Sequence, residues 1–409
     1  MLAYINFHNM TLDELNKLLT PESLELLEAN LEAEPGAFAL KNTGNKDLPV
    51  RAIAEQLALR KKAGLKFPKL SARGLIFQKE AFEQSSGETA AAYKQKLISG
   101  KNLIDITGGL GIDLLYLSEN FEKPVYCERN EVLCNLFRHN SRIFPSRKIE
   151  IIEGDSINAL KQYPDNYFDW LYADPARREQ GRRSVDLRYC SPNVVEHQEL
   201  LFSKAKNLLL KLSPAFDVTE AAKLFPNLDE FIVVSVDGEC KEILLLLKKE
   251  KSARGVKIKA VSLHSDDKPA YEIESILGEN IVRYTAYEIS GHFYEPDAAI
   301  IKSRLTSKLA RKYNLNFINE EADYLISSEY VKDFPGRSFL IKHVWEYKPK
   351  QITEKLNALG INKANISRRS FPLSPEEIRS KLKLKDGGDV YLFFTRDHEG
   401  KLICVYCMK

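Results

Sequence analysis

The 409-residue chain has no apolar run of the ~18–20 residues that a bilayer span requires. Its first residues, Met1-Leu-Ala-Tyr-Ile-Asn, carry neither a basic start nor a signal-peptide core, so the cytoplasm is the default location. Cysteine is sparse. The six thiols, at 127, 134, 190, 240, 404 and 407, lack the density of a disulfide framework. Cys404-Val-Tyr-Cys407 has CxxC spacing but no second pair and no nearby histidine pair, short of the four ligands usual for structural zinc, so no metal site is expected. A strong excess of one charge is also missing: the net charge of +3 permits a nucleic-acid partner without demanding one. There is no internal repeat and no low-complexity tract. A chain that is 44% apolar and 29% charged reads as an ordinary folded protein, and its length exceeds what one core usually serves.

Residues 1–100 read as mostly helical. Thr11-Leu-Asp-Glu is an N-cap with acids in the first turn, and Thr20-Pro-Glu-Ser repeats the device with proline at the first helical position. Leu48–Lys62 has helix-spaced apolar residues with basic ones along it, the pattern of an amphipathic packing helix. Gln84-Ser-Ser-Gly-Glu-Thr then opens another helix.

The pattern changes at residues 102–113, Asn-Leu-Ile-Asp-Ile-Thr-Gly-Gly-Leu-Gly-Ile-Asp. A short apolar run predicts a buried strand, Gly108, Gly109 and Gly111 a sharp turn, and Leu114, Leu115 and Leu117 a helix. Strand, glycine turn and helix open a nucleotide-binding βαβ unit, in which glycines let backbone approach a ligand. Further strands are expected at 124–127, 149–153, 168–173, 207–212, 231–236 and 242–248. Helix-length segments separate the first five strands, implying parallel pairing; the last two are joined by Asp237-Gly-Glu-Cys-Lys, a hairpin-sized link. A parallel sheet closing with an antiparallel hairpin is how methyltransferase sheets end. One helix is expected over Ala298–Lys312, and residues 331–409 suggest a small α+β unit with a capped helix at Ser374-Pro-Glu-Glu.

Three acids stand at successive strand ends: Asp105, Glu128 and Asp155. Open α/β sheets bind ligands at that edge. Glu128, about twenty residues past the glycines, is placed to accept ribose hydroxyls. Asp155, followed by Ser156, is placed for an adenine amino group, and Asp105 for a ligand's ammonium. Leu114 occupies the third-glycine position of a dinucleotide fingerprint, and no Gly-Lys-Ser/Thr phosphate loop is present. S-adenosyl-L-methionine, which needs a tight turn and has no pyrophosphate, fits best.

Strand four ends in Asp174-Pro175-Ala-Arg177-Arg178, followed by Arg182, Arg183 and Arg188. Methyl transfer requires an aligned acceptor lone pair and exclusion of water. Asp174 can hold an amino or hydroxyl acceptor, Pro175 stiffens the turn, and the arginines are either an anion site or a solvated basic loop. Lys211, in Lys211-Leu-Ser-Pro, either contacts substrate or neutralises nearby acids. No cysteine stands at that strand end, which disfavours a covalent pyrimidine mechanism.

Asp105-x-Thr107-Gly-Gly-x-Gly resembles motif I of class I S-adenosylmethionine-dependent methyltransferases, with Thr107 where glycine is commonest. Together with Gln84-Ser-Ser-Gly-Glu-Thr, Asp174-Pro-Ala-Arg-Arg, Lys211-Leu-Ser-Pro and Tyr294-Glu-Pro-Asp-Ala, it resembles the bacterial methyltransferase family with a THUMP-like C-terminal domain. The resemblance covers nearly the whole chain. It implies a helical region over 1–100, a Rossmann-like methyltransferase core over 101–277, a small ferredoxin-like piece over 278–330 and a THUMP-like α+β domain over 331–409. It also implies an RNA substrate, because THUMP domains deliver RNA to catalytic domains. Lys363, Arg368, Arg369, Arg379, Lys381, Lys383 and Lys385, with Phe371 among them, form either a phosphate-tracking surface or a solvated face. The expected activity is methylation of a nitrogen (or oxygen) of structured RNA, tRNA or rRNA. The alternatives are a small-molecule or protein methyltransferase and a non-catalytic RNA-binding module with bound cofactor.

Overall fold

The structure, a computed structural model, describes residues 10–45, 47–144, 148–177, 187–250, 255–266 and 268–409. The chain divides into two compact units: residues 1–230 with 243–253, and residues 231–242 with 254–409.

In the first unit, short helices between residues 12 and 95 precede the sheet. Thr11 caps its helix reciprocally with Glu14, and Thr20 caps the next with proline behind it. The long helix Val50–Lys66 buries Ile53, Leu57 and Ala63. Two of its basic residues are spent on N-terminal acids, Arg51 on Glu14 and Arg60 on Glu28, each at 2.5 Å, as a packing helix requires. Two buried amides then clamp the segment that follows. Gln56 exchanges hydrogen bonds with the backbone N–H and C=O of Phe77, and Asn140, 64 residues downstream, does the same for Ile76. Buried backbone groups outside a sheet need such partners.

The strands are β1 (Gly100–Asp105), β2 (Phe121–Glu128), β3 (Glu150–Glu153), β4 (Phe168–Ala173), β5 (Ala205–Leu212), β6 (Leu228–Val236) and β7 (Glu239–Lys248). Their spatial order is β3-β2-β1-β4-β5-β7-β6. The first five run parallel to one another, and β7 is antiparallel to β5. Leu208, Leu209 and Leu210 on β5 are fully buried, the near-continuous apolar run of a strand covered on both faces. Lys211 interrupts it. Asp237 and Gly238 both have positive φ, at 52° and 82°, as a two-residue hairpin turn demands. The parallel sheet closes in an antiparallel hairpin, the arrangement the sequence predicts.

In the second unit, Lys257–Leu263 pairs antiparallel with Tyr271–Ile276. A separate seven-stranded sheet draws strands from both sides of residue 330, with Gly336–Glu346 between His292–Pro296 and Leu402–Met408. Its alternating residues feed two cores: Trp345, Leu392 and Cys404 pack beneath Ile352 and Ile378 of two helices, while Phe293, Phe393 and Cys407 pack with Tyr324. Cys404 and Cys407, three apart on one strand, thus serve different cores, and burial pushes both thiols up. The single helix expected over Ala298–Lys312 is two, Ala298–Lys302 and Thr306–Tyr313. Arg304 turns left-handed between them at φ 61°, and the Ser303 hydroxyl donates back to the Ile300 carbonyl, competing with helix continuation.

Candidate active site

The turn after β1 is shaped by the rings beneath it. A Cβ on Gly108 would lie 2.4 Å from the Tyr126 ring, and one on Gly111, at φ 77°, would lie 2.2 Å from Phe137. Those rings stack at 4.0 Å with 6° between planes. Two of the three glycines are therefore required by the protein's own packing, a constraint that acts beside any ligand's approach. Gly109 differs. Its φ is 54°, and a Cβ there would meet only the Thr107 carbonyl, at 3.6 Å. Its N–H donates to Glu128 Oε2 at 2.9 Å and its carbonyl accepts from the Tyr126 hydroxyl at 2.7 Å.

The sequence-predicted acids gather around this turn. Glu128, at the end of β2, also accepts from the Asn130 N–H at 2.8 Å through Oε1, and its carbonyl accepts from Gly154 N–H at the end of β3. Each carboxylate oxygen keeps a lone pair. Asp155 is exposed and caps the helix Ser156–Lys161 through an oxygen held by the Asn158 N–H at 2.9 Å; Ser156 is buried at that helix start. Asp105 is buried and accepts from both the N–H and the hydroxyl of Thr107, at 2.8 and 3.1 Å. Thr107's oxygen in turn accepts the Asp174 N–H at 2.7 Å. That explains threonine in place of glycine: one hydroxyl ties the end of β1 to the end of β4.

Beyond β4, Pro175 is buried, and Ala176–Arg177 pairs with Cys190–Ser191. Arg178, Arg182 and Arg183 lie outside the described residues; Arg188 is exposed. Asp174, with a side chain 37% exposed, meets the Lys211 ammonium at 2.5 Å. Lys211 therefore lies against acids, the contact that the second of its two sequence-based roles requires.

Sequence reasoning missed what lies behind Lys211. Its ammonium donates to Ser86 Oγ at 3.0 Å and lies 3.7 Å from Asp113. Fully buried Lys94 sits 3.1 Å from both Ser86 Oγ and Asp113 Oδ1, and the Tyr172 hydroxyl donates to Asp113 at 2.6 Å. Burial pushes the Asp113 carboxyl up, but Lys94 and Lys211 outweigh that and hold it below the ordinary carboxylate range. The only sequence signals were membership of Ser86 and Asp113 in the quoted motifs. Among the described residues no cluster of three or more histidines, cysteines or acids could hold a metal.

Residues 336–409 match the THUMP domain-like family. The chain is similar to an uncharacterised S-adenosylmethionine-dependent methyltransferase of Mycobacterium tuberculosis, known from two strains. It is 22% identical over 356 residues, covering 86% of this chain and 94% of that one. A crystal structure of a candidate methyltransferase from Porphyromonas gingivalis W83 superposes with a TM-score of 0.83 at 26% identity, covering 97% of this chain and 98% of that one. The chain is an S-adenosylmethionine-dependent methyltransferase whose residues 336–409 are THUMP-like. In the methyltransferase's second unit, the Tyr294-Glu-Pro-Asp-Ala stretch makes structural contacts. The Tyr294 hydroxyl bonds Glu329 and Val331 backbone, Glu295 holds Arg337 and Arg369, and Asp297 caps a helix.

Burial, with Asp113 and Asp174 facing it, pushes the Asp105 carboxyl up to about 8 against the pull of its Thr107 bonds. The native methyltransferase therefore holds a proton between about pH 4 and 8 that the unfolded chain releases, so this residue's contribution to stability declines as pH rises through that window. Thermal unfolding across the window should show Asp105→Asn losing that decline. Gly108→Ala should cost about 1–3 kcal/mol in urea unfolding, since the Tyr126 ring must move off its stack; an unchanged midpoint would contradict the packing account.

Proposed function

We propose that this methyltransferase transfers a methyl group to a nitrogen (or oxygen) of structured RNA, with Asp174 holding the acceptor. The observation that carries the reading is the chain of bonds Glu128–Gly109 and Asp105–Thr107–Asp174. It draws a ribose-type acid, a buried acid and an acceptor-type acid to one edge of the sheet. The donor set fits the cofactor: carboxylates around one turn suit a nucleoside bearing cationic groups and oppose a pyrophosphate. Glu128 offers a free lone pair on each oxygen to ribose hydroxyls, while the Gly109 and Asn130 N–H groups hold it still. Asp155, capped through one oxygen, has the other for an adenine amino group, with Ser156 beside it. Asp105, when ionised, accepts the amino-acid ammonium. Gly108 and Gly111 keep the turn low.

S-adenosylmethionine, when bound, supplies an electrophilic methyl carbon. Asp174 accepts an N–H or O–H of the acceptor and so orients its lone pair. Lys211 fixes the Asp174 carboxylate, buried Pro175 limits the strand end's freedom, and Arg177, two residues on in sequence, is the residue proposed for substrate phosphate.

RNA as substrate is supported by the THUMP-like match and by surface charge. Lys363, Arg368, Lys381, Lys383 and Lys385 are exposed. Arg369 and Arg379 are occupied by Glu295 and Asp386, and Phe371 is buried in the core, so it stacks no base. Phosphate contact rather than base stacking is the mode this surface suits.

Asp174→Ala should lower methyl transfer to total cellular RNA by about 10²-fold or more while calorimetry finds cofactor affinity within twofold of wild type. Glu128→Ala should instead weaken cofactor binding about tenfold. Nucleoside analysis of the labelled product identifies the acceptor; transfer only to protein or small molecules would overturn the RNA reading. In gel shifts, Lys381→Ala, Lys383→Ala and Lys385→Ala together should flatten the salt dependence of RNA binding by roughly 2–3 in log–log slope. An unaltered slope would remove these lysines from the interface.

A further inference from the structure

The acceptor acid is backed by a buried cluster that the reaction scheme above does not use. Ser86 comes from the loop before the Glu88–Gln95 helix, Lys94 from that helix, Asp113 from the segment after the glycine turn and Lys211 from β5. Ser86 Oγ accepts from Lys94 at 3.1 Å and from Lys211 at 3.0 Å, and donates to Asp113 Oδ2 at 2.9 Å. Those three bonds use the hydroxyl's proton and both of its lone pairs. Two ammonium groups that share one oxygen repel each other. They remain together because Asp113 sits between them, itself held by Tyr172 at 2.6 Å. Side-chain exposure is 0% for Lys94, 10% for Asp113 and 11% for Lys211, but 37% for Asp174. Of these four charged groups, only Asp174 presents a carboxylate outward, and it does so at the edge where the cofactor acids gather.

We propose that Ser86, with Lys94 and Asp113 behind it, is a positioning residue for methyl transfer. It fixes the Lys211 ammonium against Asp174, so that the N-terminal segment completes the active site. The inference rests on the reading of Asp174 as the acceptor-holding group. A lysine has four rotatable side-chain bonds, and one ion pair alone leaves its head free to swing around the carboxylate. The Ser86 hydroxyl, 125 residues away in sequence, supplies a second close point at 3.0 Å, nearer than Asp113 at 3.7 Å, and so narrows the directions open to the ammonium. Orientation of the acceptor's lone pair is the protein's main task in this chemistry, so loss of the second point is expected in kcat rather than in cofactor binding.

The test uses the full chain with Ser86→Ala, Ser86→Thr and Tyr172→Phe. Ser86→Ala should lower kcat on RNA about tenfold, with KM for RNA and cofactor affinity within twofold of wild type. Ser86→Thr, which keeps the hydroxyl, should recover at least half of the wild-type rate. Tyr172→Phe loosens Asp113 without touching Ser86 and should give an intermediate loss. Wild-type kcat in Ser86→Ala, or equal losses in the alanine and threonine variants, would overturn the proposal. A second readout needs no substrate. In nitrogen-15-labelled protein, a slowly exchanging ammonium resonance that vanishes in Lys211→Met should exchange at least tenfold faster with water in Ser86→Ala. Unchanged exchange refutes the positioning role directly. If wild-type protein methylates no RNA but this resonance behaves as expected, the positioning stands and the RNA reading falls. Should Ser86→Ala fail to fold, the Tyr172→Phe exchange rate decides.

Discussion

Stacking of Tyr126 on Phe137 sets the shape of the turn on which the rest of the site depends. The two rings leave no room for a side chain at positions 108 or 111, and the Tyr126 hydroxyl holds the Gly109 carbonyl from below. The turn is thereby fixed by the protein's own core. Its one open residue, Gly109, has its N–H already aimed at Glu128. A carboxylate held in this way is already oriented, and a prearranged group lowers the cost of binding whatever ligand it meets.

A second constraint joins that turn to the reacting edge. Thr107 donates to Asp105 and accepts from the Asp174 N–H, so the ends of β1 and β4 move together. From Asp174 the connection continues inward through Lys211 to Ser86, Asp113 and Lys94. Asp105 and Asp174, at the ends of neighbouring strands, are thus braced by one set of hydrogen bonds and ion pairs, much of it buried. Replacing an internal member leaves a neighbouring buried charge with one partner fewer.

How much of this was legible in the sequence follows from how local each cause is. The strands of the parallel sheet and the Asp237-Gly238 hairpin were readable because apolar runs, glycine and caps act over a few residues. The acids at strand ends could be placed at one edge because parallel crossovers dictate it. The break at Arg304 was hidden: a serine bonding its own helix leaves no trace in apolar spacing. Phe371 sat among cations in the sequence and inside the core in space. Ser86, Lys94 and Asp113 were invisible as a group, since a buried lysine in an amphipathic helix looks like any other until its distant counter-ion is known. Thr107 stood out as a departure from the motif, but its reason lay on β4.

The amide clamps have a consequence for the order in which the chain can be completed on the ribosome. Backbone groups of Ile76 wait for Asn140, which is translated 64 residues later, and the Ser86 hydroxyl waits for Lys211, 125 residues later. At about 5–20 residues per second, the second interval is roughly 6–25 s. Through these intervals the early helices carry polar groups whose full set of partners is still to come, a period during which nascent-chain chaperones have something to hold. The helices before the sheet are finished by residues that lie beyond its first strands.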